Sequence, residues 1–270
     1  MRAQNRAAYA RRLNRLSISI AALLICAAAP LLAQDKEATS AKGEGTICPN
    51  DEPSEPDHFA VSLTTEFDSR YIFRGVNSLP GSGIATFDTQ FDYKHFSLQI
   101  WDARGISKSF HEMDFYVSYS YDELEPFTFS GGYINYYTPD DDHLHLGYSD
   151  TQEVFVSIDY DIGSRYTATL KYNYDFDKIR GGFIEPKFAA CFPFFGNKLA
   201  FDPYVSITYD LQYNSNRFVW NNFQAGIEIV RKINETLKLS ATFEVSVPLA
   251  AFDQFAKKVG WVGVGFTADF

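Results

Sequence analysis

Long apolar runs are missing from most of this 270-residue chain. Beyond the N-terminal segment, no stretch approaches the roughly 20 apolar residues that a membrane-spanning helix needs. The mean hydropathy is only -0.21, and together these facts exclude a helical membrane protein. Aromatic residues are nevertheless abundant, at 17% of the chain. Many aromatics without apolar runs suit strands that alternate apolar and polar residues, as in a transmembrane β-barrel.

Positive charge is scarce outside the N-terminus. Five of the 24 basic residues lie there, without any acid nearby: Arg2, Arg6, Arg11, Arg12 and Arg15. An apolar stretch, 18–33, follows them, and this order is typical of a secretory signal peptide cleaved after Ala33. Taking five from 24 leaves 19 basic residues against 34 acidic ones, a net charge of -15. This balance argues against nucleic acid and against an anionic bilayer surface as partners.

Three other interpretations of the N-terminus are less favoured. A retained membrane anchor would need a longer apolar stretch. A lipoprotein signal at Cys26 would have a small residue before the cysteine, where this chain has Ile25. A twin-arginine export signal at Arg11 and Arg12 is disfavoured by the polar Asn14 that follows. We therefore predict a signal peptide over 1–33, a disordered periplasmic tail over 34–57 and a barrel over 58–270.

Apolar and polar residues alternate with period two from about residue 59 to the C-terminus, which predicts β-strands with one apolar face. About twelve strands follow from this pattern: 59–73, 84–93, 95–101, 112–121, 126–137, 152–160, 165–176, 183–192, 203–213, 219–231, 237–247 and 260–270. An even number of strands of about ten residues each is what bacterial outer-membrane barrels have. The predicted fold is all-β, a transmembrane antiparallel up-and-down β-barrel.

Connection lengths favour this barrel over a soluble β-sandwich, which also alternates. Short links alternate with long ones such as 75–83 and 138–150, the pattern of periplasmic turns and external loops. Only the link at 193–202 is longer than its position predicts. Aromatics flank the short links, where a girdle at the lipid headgroups would lie: Tyr93, Phe96, Tyr121, Phe127, Tyr160 and Tyr166.

The last strand ends on an apolar set that includes Phe266, Ala268 and Phe270. This ending resembles the C-terminal signature that the outer-membrane barrel assembly machinery recognises. The implied partners are that machinery and outer-membrane lipid, and the implied location is the bacterial outer membrane.

The polar face of the strands predicts the charges that line the lumen. The acids are Glu66, Asp68, Asp88, Asp92, Glu112, Asp114, Asp159, Asp175, Glu185, Asp210, Glu228, Glu244 and Asp269. The bases are Arg70, Arg74, Arg165, Lys171, Lys187 and Lys238. Because charged walls tune ion selectivity, this excess of acids predicts a cation-preferring pore. Twelve strands give a backbone radius of roughly 12 Å, so only small solutes would pass. Alternatively, the charges pair and plug the barrel.

The stretch from Val61 to Val76 carries the motif Tyr-x-Phe-Arg-Gly at Tyr71, Phe73, Arg74 and Gly75. It resembles the opening strand of the TorF-type family of outer-membrane porins, whose members often begin their barrel with an alternating strand ending in this motif. The resemblance implies a porin-like function and adds no substrate and no catalytic residue.

Other chemistry has only weak support. The loop segment Asp140–His145 holds acids and histidines with loose spacing, and we predict neither a metal site nor a cofactor. A lipid-modifying enzyme would need a nucleophile and a base, and His95 with Ser97 or His111 with Glu112 form no diagnostic motif. The two cysteines left after cleavage, Cys48 and Cys191, form a possible disulfide in the oxidising periplasm.

Overall fold

The structure is a computed structural model that describes residues 59–138, 150–195, 198–252 and 257–270. The predicted signal peptide, the predicted tail and the acidic stretch Asp140–His145 lie outside the described residues. Within the described ranges, twelve long strands form one closed antiparallel barrel, which confirms the predicted fold class. No helix in these ranges is long and apolar enough to cross a membrane.

We number the barrel strands in chain order. They are β1 Ala60–Asp68, β2 Ile84–Tyr93, β3 Phe96–Gly105, β4 His111–Leu124, β5 Phe127–Tyr137, β6 Thr151–Ile162, β7 Tyr166–Asp175, β8 Gly182–Ala190, β9 Leu199–Leu211, β10 Phe218–Lys232, β11 Leu237–Pro248 and β12 Val259–Asp269. Each strand pairs with its neighbour in sequence, and β1 pairs with β12 to close the barrel. Among the described residues, closure gives every long strand a partner on both sides, which a structure inside lipid requires.

The C-terminal residue completes the seam between β1 and β12. The Phe270 amide donates to the Val61 carbonyl (2.8 Å), and the Val61 amide donates back to Phe270 (3.0 Å). Phe270 and Phe266 are exposed on the outside, whereas Ala268 is buried. Their role as an assembly signal stays a prediction.

The barrel has an apolar exterior and a polar interior. Large apolar side chains are exposed on every long strand, among them Leu63, Phe87, Leu98, Val117, Phe129, Ile158, Leu170, Phe188, Val205, Phe223, Phe243 and Val264. The buried set is instead rich in Glu, Asp, Asn, Ser and Thr. This inversion of a water-soluble core would be an aggregation hazard in water and matches a surrounding bilayer.

The two ends of the barrel differ in their connections. Short turns link β2 to β3, β4 to β5, β6 to β7 and β10 to β11, at what we call the short-turn end. Most connections at the opposite, long-loop end are longer. The link after β8, which the pattern left unexplained, holds a three-residue strand, Phe192–Phe194, that extends the pairing with β9 at Leu199.

The prediction that the first strand reaches residue 73 is wrong, because β1 ends at Asp68. The chain then turns and forms a short hairpin of Ile72–Phe73 against Val76–Asn77, which we call the inner hairpin. Alternation over 59–73 would place Tyr71 on the lipid face with Leu63 and Phe67, but its ring is 8% exposed and packs with Leu79, Ile84 and Phe110. Period-two alternation continues through this segment because the hairpin is itself extended, so sequence pattern alone cannot locate the bend.

Candidate functional site

The inner hairpin lies inside the barrel, near its long-loop end. Tyr71 contacts Trp101 of β3, with ring centroids 6.1 Å apart, and Phe73 contacts Tyr136 of β5 edge-on at 5.9 Å. On the other side, the carbonyl of Arg74 accepts hydrogen bonds from the β9–β10 connection and from β10. Only a segment within the lumen can reach β3, β5 and β10 of a closed barrel together. The hairpin therefore narrows the lumen.

The turn of the inner hairpin explains the Arg-Gly pair of the motif. Arg74 has φ 48° and Gly75 has φ 79°, and hairpin turns with two positive φ values match the twist of the flanking strands. A Cβ added at Gly75 would lie 2.7 Å from Cγ of Asn222, so only glycine fits against β10. Arginine is rare at positive φ. Its presence there indicates that its side chain has a specific task.

The Arg74 side chain spans the lumen to Glu153 of β6. Its Nη1 donates to Oε1 of Glu153 (2.6 Å) and its Nη2 donates to Oε2, a bidentate ion pair. The Glu153 side chain is fully buried and also accepts from the Tyr136 hydroxyl (3.3 Å) and the Asn173 amide (3.4 Å). A buried carboxylate is tolerated when an opposite charge pairs with it and hydrogen bonds satisfy its oxygens, as is the case for Glu153.

Aromatic rings surround the guanidinium. Its Cζ lies 4.9 Å from the Phe73 ring centroid, 4.9 Å from that of Phe183 and 4.2 Å from that of Tyr213. Burial alone would lower the pKa of Arg74, but the Glu153 carboxylate raises that pKa well above the usual value. The Glu153 carboxylate thus favours the charged form of Arg74.

Two further carboxylates lie beside the inner hairpin on β4. Glu112 accepts a hydrogen bond from the Tyr71 hydroxyl (2.6 Å), and Asp114 accepts one from Tyr116 (3.2 Å). They are 7% and 3% exposed, and Oδ1 of Asp114 has no hydrogen-bond partner. Burial, with the Glu112 charge nearby, raises the pKa of Tyr71 well above its usual value, so Tyr71 stays a donor. Among the described residues, no Lys or Arg pairs with either acid.

Two of the predicted lumen acids, Asp175 and Asp210, instead hold the long loops. Asp175 accepts from the backbone amides of residues 177 (3.0 Å) and 179 (3.0 Å). Asp210 accepts from the amides of residues 213 (2.6 Å) and 215 (2.8 Å). Both are 0% exposed. They cap the connections that follow β7 and β9, so their oxygens are occupied by backbone amides.

A second polar cluster lies on the wall from β8 to β11. The Tyr204 hydroxyl donates to Oε2 of Glu244 (2.6 Å), and Gln224 donates to both groups. Lys187 holds its Nζ 4.7 Å from the Tyr204 ring centroid. Glu66 and Asp68 of β1 lie together over Gly263, where a Cβ would collide with Asp68. These predicted charges therefore share one side of the lumen.

The remaining predicted wall charges contact a neighbouring side chain or face another charge across the strand ladder. Three of the acids accept a side-chain hydrogen bond: Asp88 from Gln99, Asp92 from Gln90 (3.0 Å) and Asp159 from Thr169 (2.5 Å). The Lys171 Nζ lies 4.6 Å from the Phe155 ring centroid. Lys238 forms an ion pair with Asp269 (2.9 Å). Glu185 lies opposite Lys171, and Glu228 lies opposite Asp202 in the ladder.

The structure places two predicted wall bases outside the strands. Arg70 is exposed just beyond the end of β1, and Arg165 is exposed in the short turn before β7. Neither lies among the buried carboxylates. The bases that remain on the wall are thus fewer than the sequence pattern counted.

Several residues of the constriction were absent from the predicted set. Glu153 alternates with the outward Val154, so the same parity rule would have found it. Tyr213 lies in the connection after β9, and Asn221 and Asn222 lie on β10. They meet Arg74 only because that hairpin folds inward, and no sequence feature indicates the contact.

Cys191 is disulfide-bonded, and its partner lies outside the described residues. Its backbone amide donates to the Arg165 carbonyl (2.8 Å), which places it at the short-turn end. The pairing with Cys48 stays a prediction. Peptide mapping of the unreduced protein would test it.

The histidines considered for catalysis have acid partners and no serine partner in the described residues. His111 Nε2 lies 2.8 Å from Asp102, not Glu112, and His95 Nδ1 lies 3.9 Å from Asp122. No group of three or more metal-ligating side chains occurs in the described ranges.

Comparison with known proteins identifies the fold. No protein-family profile and no curated protein matches the chain. Among solved structures, the KdgM porin in complex with disordered oligogalacturonate is similar, with a TM-score of 0.54 and 10% identity over 78% of this chain and 99% of that one. The NanC porin has a TM-score of 0.55 and 7% identity over 77% and 98%.

A third similar structure is an outer-membrane channel of Pseudomonas putida F1, with a TM-score of 0.51 and 10% identity over 83% of this chain and 100% of that one. At these identities the likeness concerns the fold alone. The TorF-type assignment stays a prediction, whereas the chain does have the closed barrel that these outer-membrane porins and channels share.

Proposed function

We propose that this protein is a narrow channel of the bacterial outer membrane through which small solutes or ions diffuse passively. The closed barrel, its apolar exterior and its polar interior support this proposal. The inner hairpin supplies a constriction, so the solutes are small. Export by the N-terminal signal peptide and insertion by the barrel assembly machinery complete the proposal.

We further propose that the channel prefers cations. The observation that carries this preference is the buried pair Glu112 and Asp114, which has no basic partner among the described residues. The nearby Arg74 is already committed to Glu153. A cation entering the constriction would therefore meet carboxyl oxygens that no described base neutralises, whereas an anion would find no basic partner beside them.

The same reasoning makes an anionic oligosaccharide an unfavourable cargo. The KdgM porin is described with oligogalacturonate, whose sugar units carry carboxylates. In this chain the charges beside the inner hairpin are themselves mostly carboxylates. We therefore do not infer from the shared fold that this chain transports an anionic oligosaccharide.

The second candidate is a closed barrel that serves a structural or partner-binding role. The inner hairpin favours it, because Phe73 packs against a cluster of buried hydrophobic side chains that includes Tyr71, Leu79 and Phe110. A lipid-modifying activity has no comparable observation in its favour.

One experiment separates the two candidates. The mature protein, refolded and inserted in a planar bilayer, should show steady conductance steps in symmetric KCl. In a KCl gradient, the reversal potential should have the sign of cation preference. Silence from a correctly folded barrel would favour the closed barrel, and an anion-selective potential would reject the proposed preference.

A further inference from the structure

The surroundings of the Arg74 guanidinium have the composition of a recognition site for organic cations. A fully buried carboxylate, Glu153, binds it in a bidentate manner, and three aromatic rings lie within 4.9 Å of Cζ. Proteins recognise guanidinium and alkylammonium groups with this combination, because the carboxylate supplies charge and the rings supply cation–π contacts. We call Glu153, Phe73, Phe183 and Tyr213 the cation box.

The box belongs mostly to the barrel wall and not to the inner hairpin. Glu153 is on β6, Phe183 is on β8, and Tyr213 follows β9. Hydrogen bonds from Tyr136 and Asn173 hold the Glu153 carboxylate in place independently of Arg74. Only Phe73 comes from the hairpin. The wall would therefore present most of the box even if Arg74 left it.

We propose that the cation box is a binding site for the guanidinium or primary alkylammonium group of a solute, and that Arg74 occupies it as an internal ligand. This inference rests on the proposed channel function for its physiological meaning. A solute with such a group displaces Arg74, and the inner hairpin then loses its main attachment to the far wall. The solute thus widens the lumen that it enters.

The turn geometry supports displacement. Arg74 holds a positive φ, which is unfavourable for any residue with a Cβ, and Gly75 next to it has no side chain to anchor the turn. The hairpin beyond it is short, with two residues in each strand. The ion pair with Glu153 is therefore the charged contact of the hairpin tip, and its loss leaves the tip held by the hydrogen bonds to the Arg74 carbonyl.

Competition gives the inference a quantitative consequence. A ligand that must displace a covalently attached competitor binds more weakly than the same ligand at an empty site. In the Arg74→Ala variant the box is empty, and ethylguanidinium corresponds to the side-chain atoms that alanine lacks. We expect this variant to bind ethylguanidinium at least ten-fold more tightly than the wild type does.

The test is calorimetric titration of ethylguanidinium chloride into folded protein in detergent micelles, with NaCl of equal ionic strength as the reference. We expect saturable binding to Arg74→Ala, weaker binding to the wild type, and loss of binding in Arg74→Ala/Glu153→Gln. Absence of binding to Arg74→Ala, or equal binding after Glu153→Gln is added, would overturn the inference.

A second variant guards against misfolding of the first. Arg74→Lys keeps a cation but lacks the planar fork, so ethylguanidinium should displace it more easily than it displaces arginine. If Arg74→Ala fails to fold, the Arg74→Lys variant decides the question. The inference is rejected if this variant binds ethylguanidinium no more tightly than the wild type does. The titration needs no bilayer, so a silent channel would refute only the proposed function. A conducting channel whose variants bind no ethylguanidinium would refute only the cation box.

Discussion

The two halves of the lumen contain the same residue types in very different surroundings. At the long-loop end, Glu112, Asp114 and Glu153 are at most 7% exposed. At the short-turn end, Lys238 pairs with Asp269, whose side chain is 36% exposed. A charge at the buried long-loop end interacts strongly with its neighbours and needs an oppositely charged or hydrogen-bonding partner. A charge at the more exposed short-turn end is screened by water. In the proposed channel, control of permeation therefore belongs to the long-loop end.

The largest effect is expected from Glu153→Gln. Removing one partner of a buried ion pair leaves Arg74 charged and unmatched, which should destabilise the docked inner hairpin by about 3–5 kcal/mol. Hydrogen exchange of the peptide covering 69–83 should then be faster by about a hundredfold or more, since each 1.4 kcal/mol is a factor of ten. Single-channel conductance should rise.

The control for that variant is Glu235→Gln. Glu235 pairs with Lys232 (2.8 Å) in a short turn, and its side chain is 92% exposed. We expect unchanged exchange and unchanged conductance. An equal response from both variants would remove the distinction between the two halves.

Gly75→Ala should accelerate hydrogen exchange of the inner hairpin by less than Glu153→Gln does. Gly81→Ala is its matched control. Both glycines have φ near +80°, but a Cβ at Gly75 meets Asn222 at 2.7 Å, and one at Gly81 has nothing within 4 Å. Backbone strain alone amounts to about 1–3 kcal/mol at either position. Exchange within 69–83 should therefore accelerate more for Gly75→Ala. Identical rates would show that the turn does not press on β10.

The next effect concerns selectivity. Asp114→Asn removes a buried carboxyl group that no described Lys or Arg neutralises, without changing the side-chain volume, so the reversal potential in a KCl gradient should move towards zero. Asp92→Asn, near the short-turn end and already bonded to Gln90, should shift that potential less. A larger shift of the reversal potential for Asp92→Asn would show that ion selectivity is set at the short-turn end.

The smallest effect is expected from Lys238→Ala. Its ion pair with Asp269 (2.9 Å) is partly exposed to solvent. Such pairs contribute about 0.2–1 kcal/mol. The urea midpoint for barrel unfolding in detergent should change little, and conductance should stay the same. A destabilisation as large as that of Glu153→Gln would contradict the picture of a screened half.

Sequence alone determined the barrel. Period-two alternation fixes which residues face lipid, because a strand turns successive side chains to opposite faces, and the boundaries of β2 agree with the pattern to the residue. The same alternation identified Glu112 and Asp114 as polar-face residues. The resemblance to the TorF-type family, and not the alternation, singled out Tyr71, Phe73, Arg74 and Gly75 as a motif.

Only the tertiary structure decided where that motif lies. An extended segment alternates in the same way whether it continues a barrel strand or folds back into the lumen, so the bend after Asp68 leaves no trace in the pattern. The contact between Arg74 and Glu153 joins residues 79 positions apart. Alternation describes neighbours along a strand, whereas the constriction is made by side chains that meet across the closed barrel.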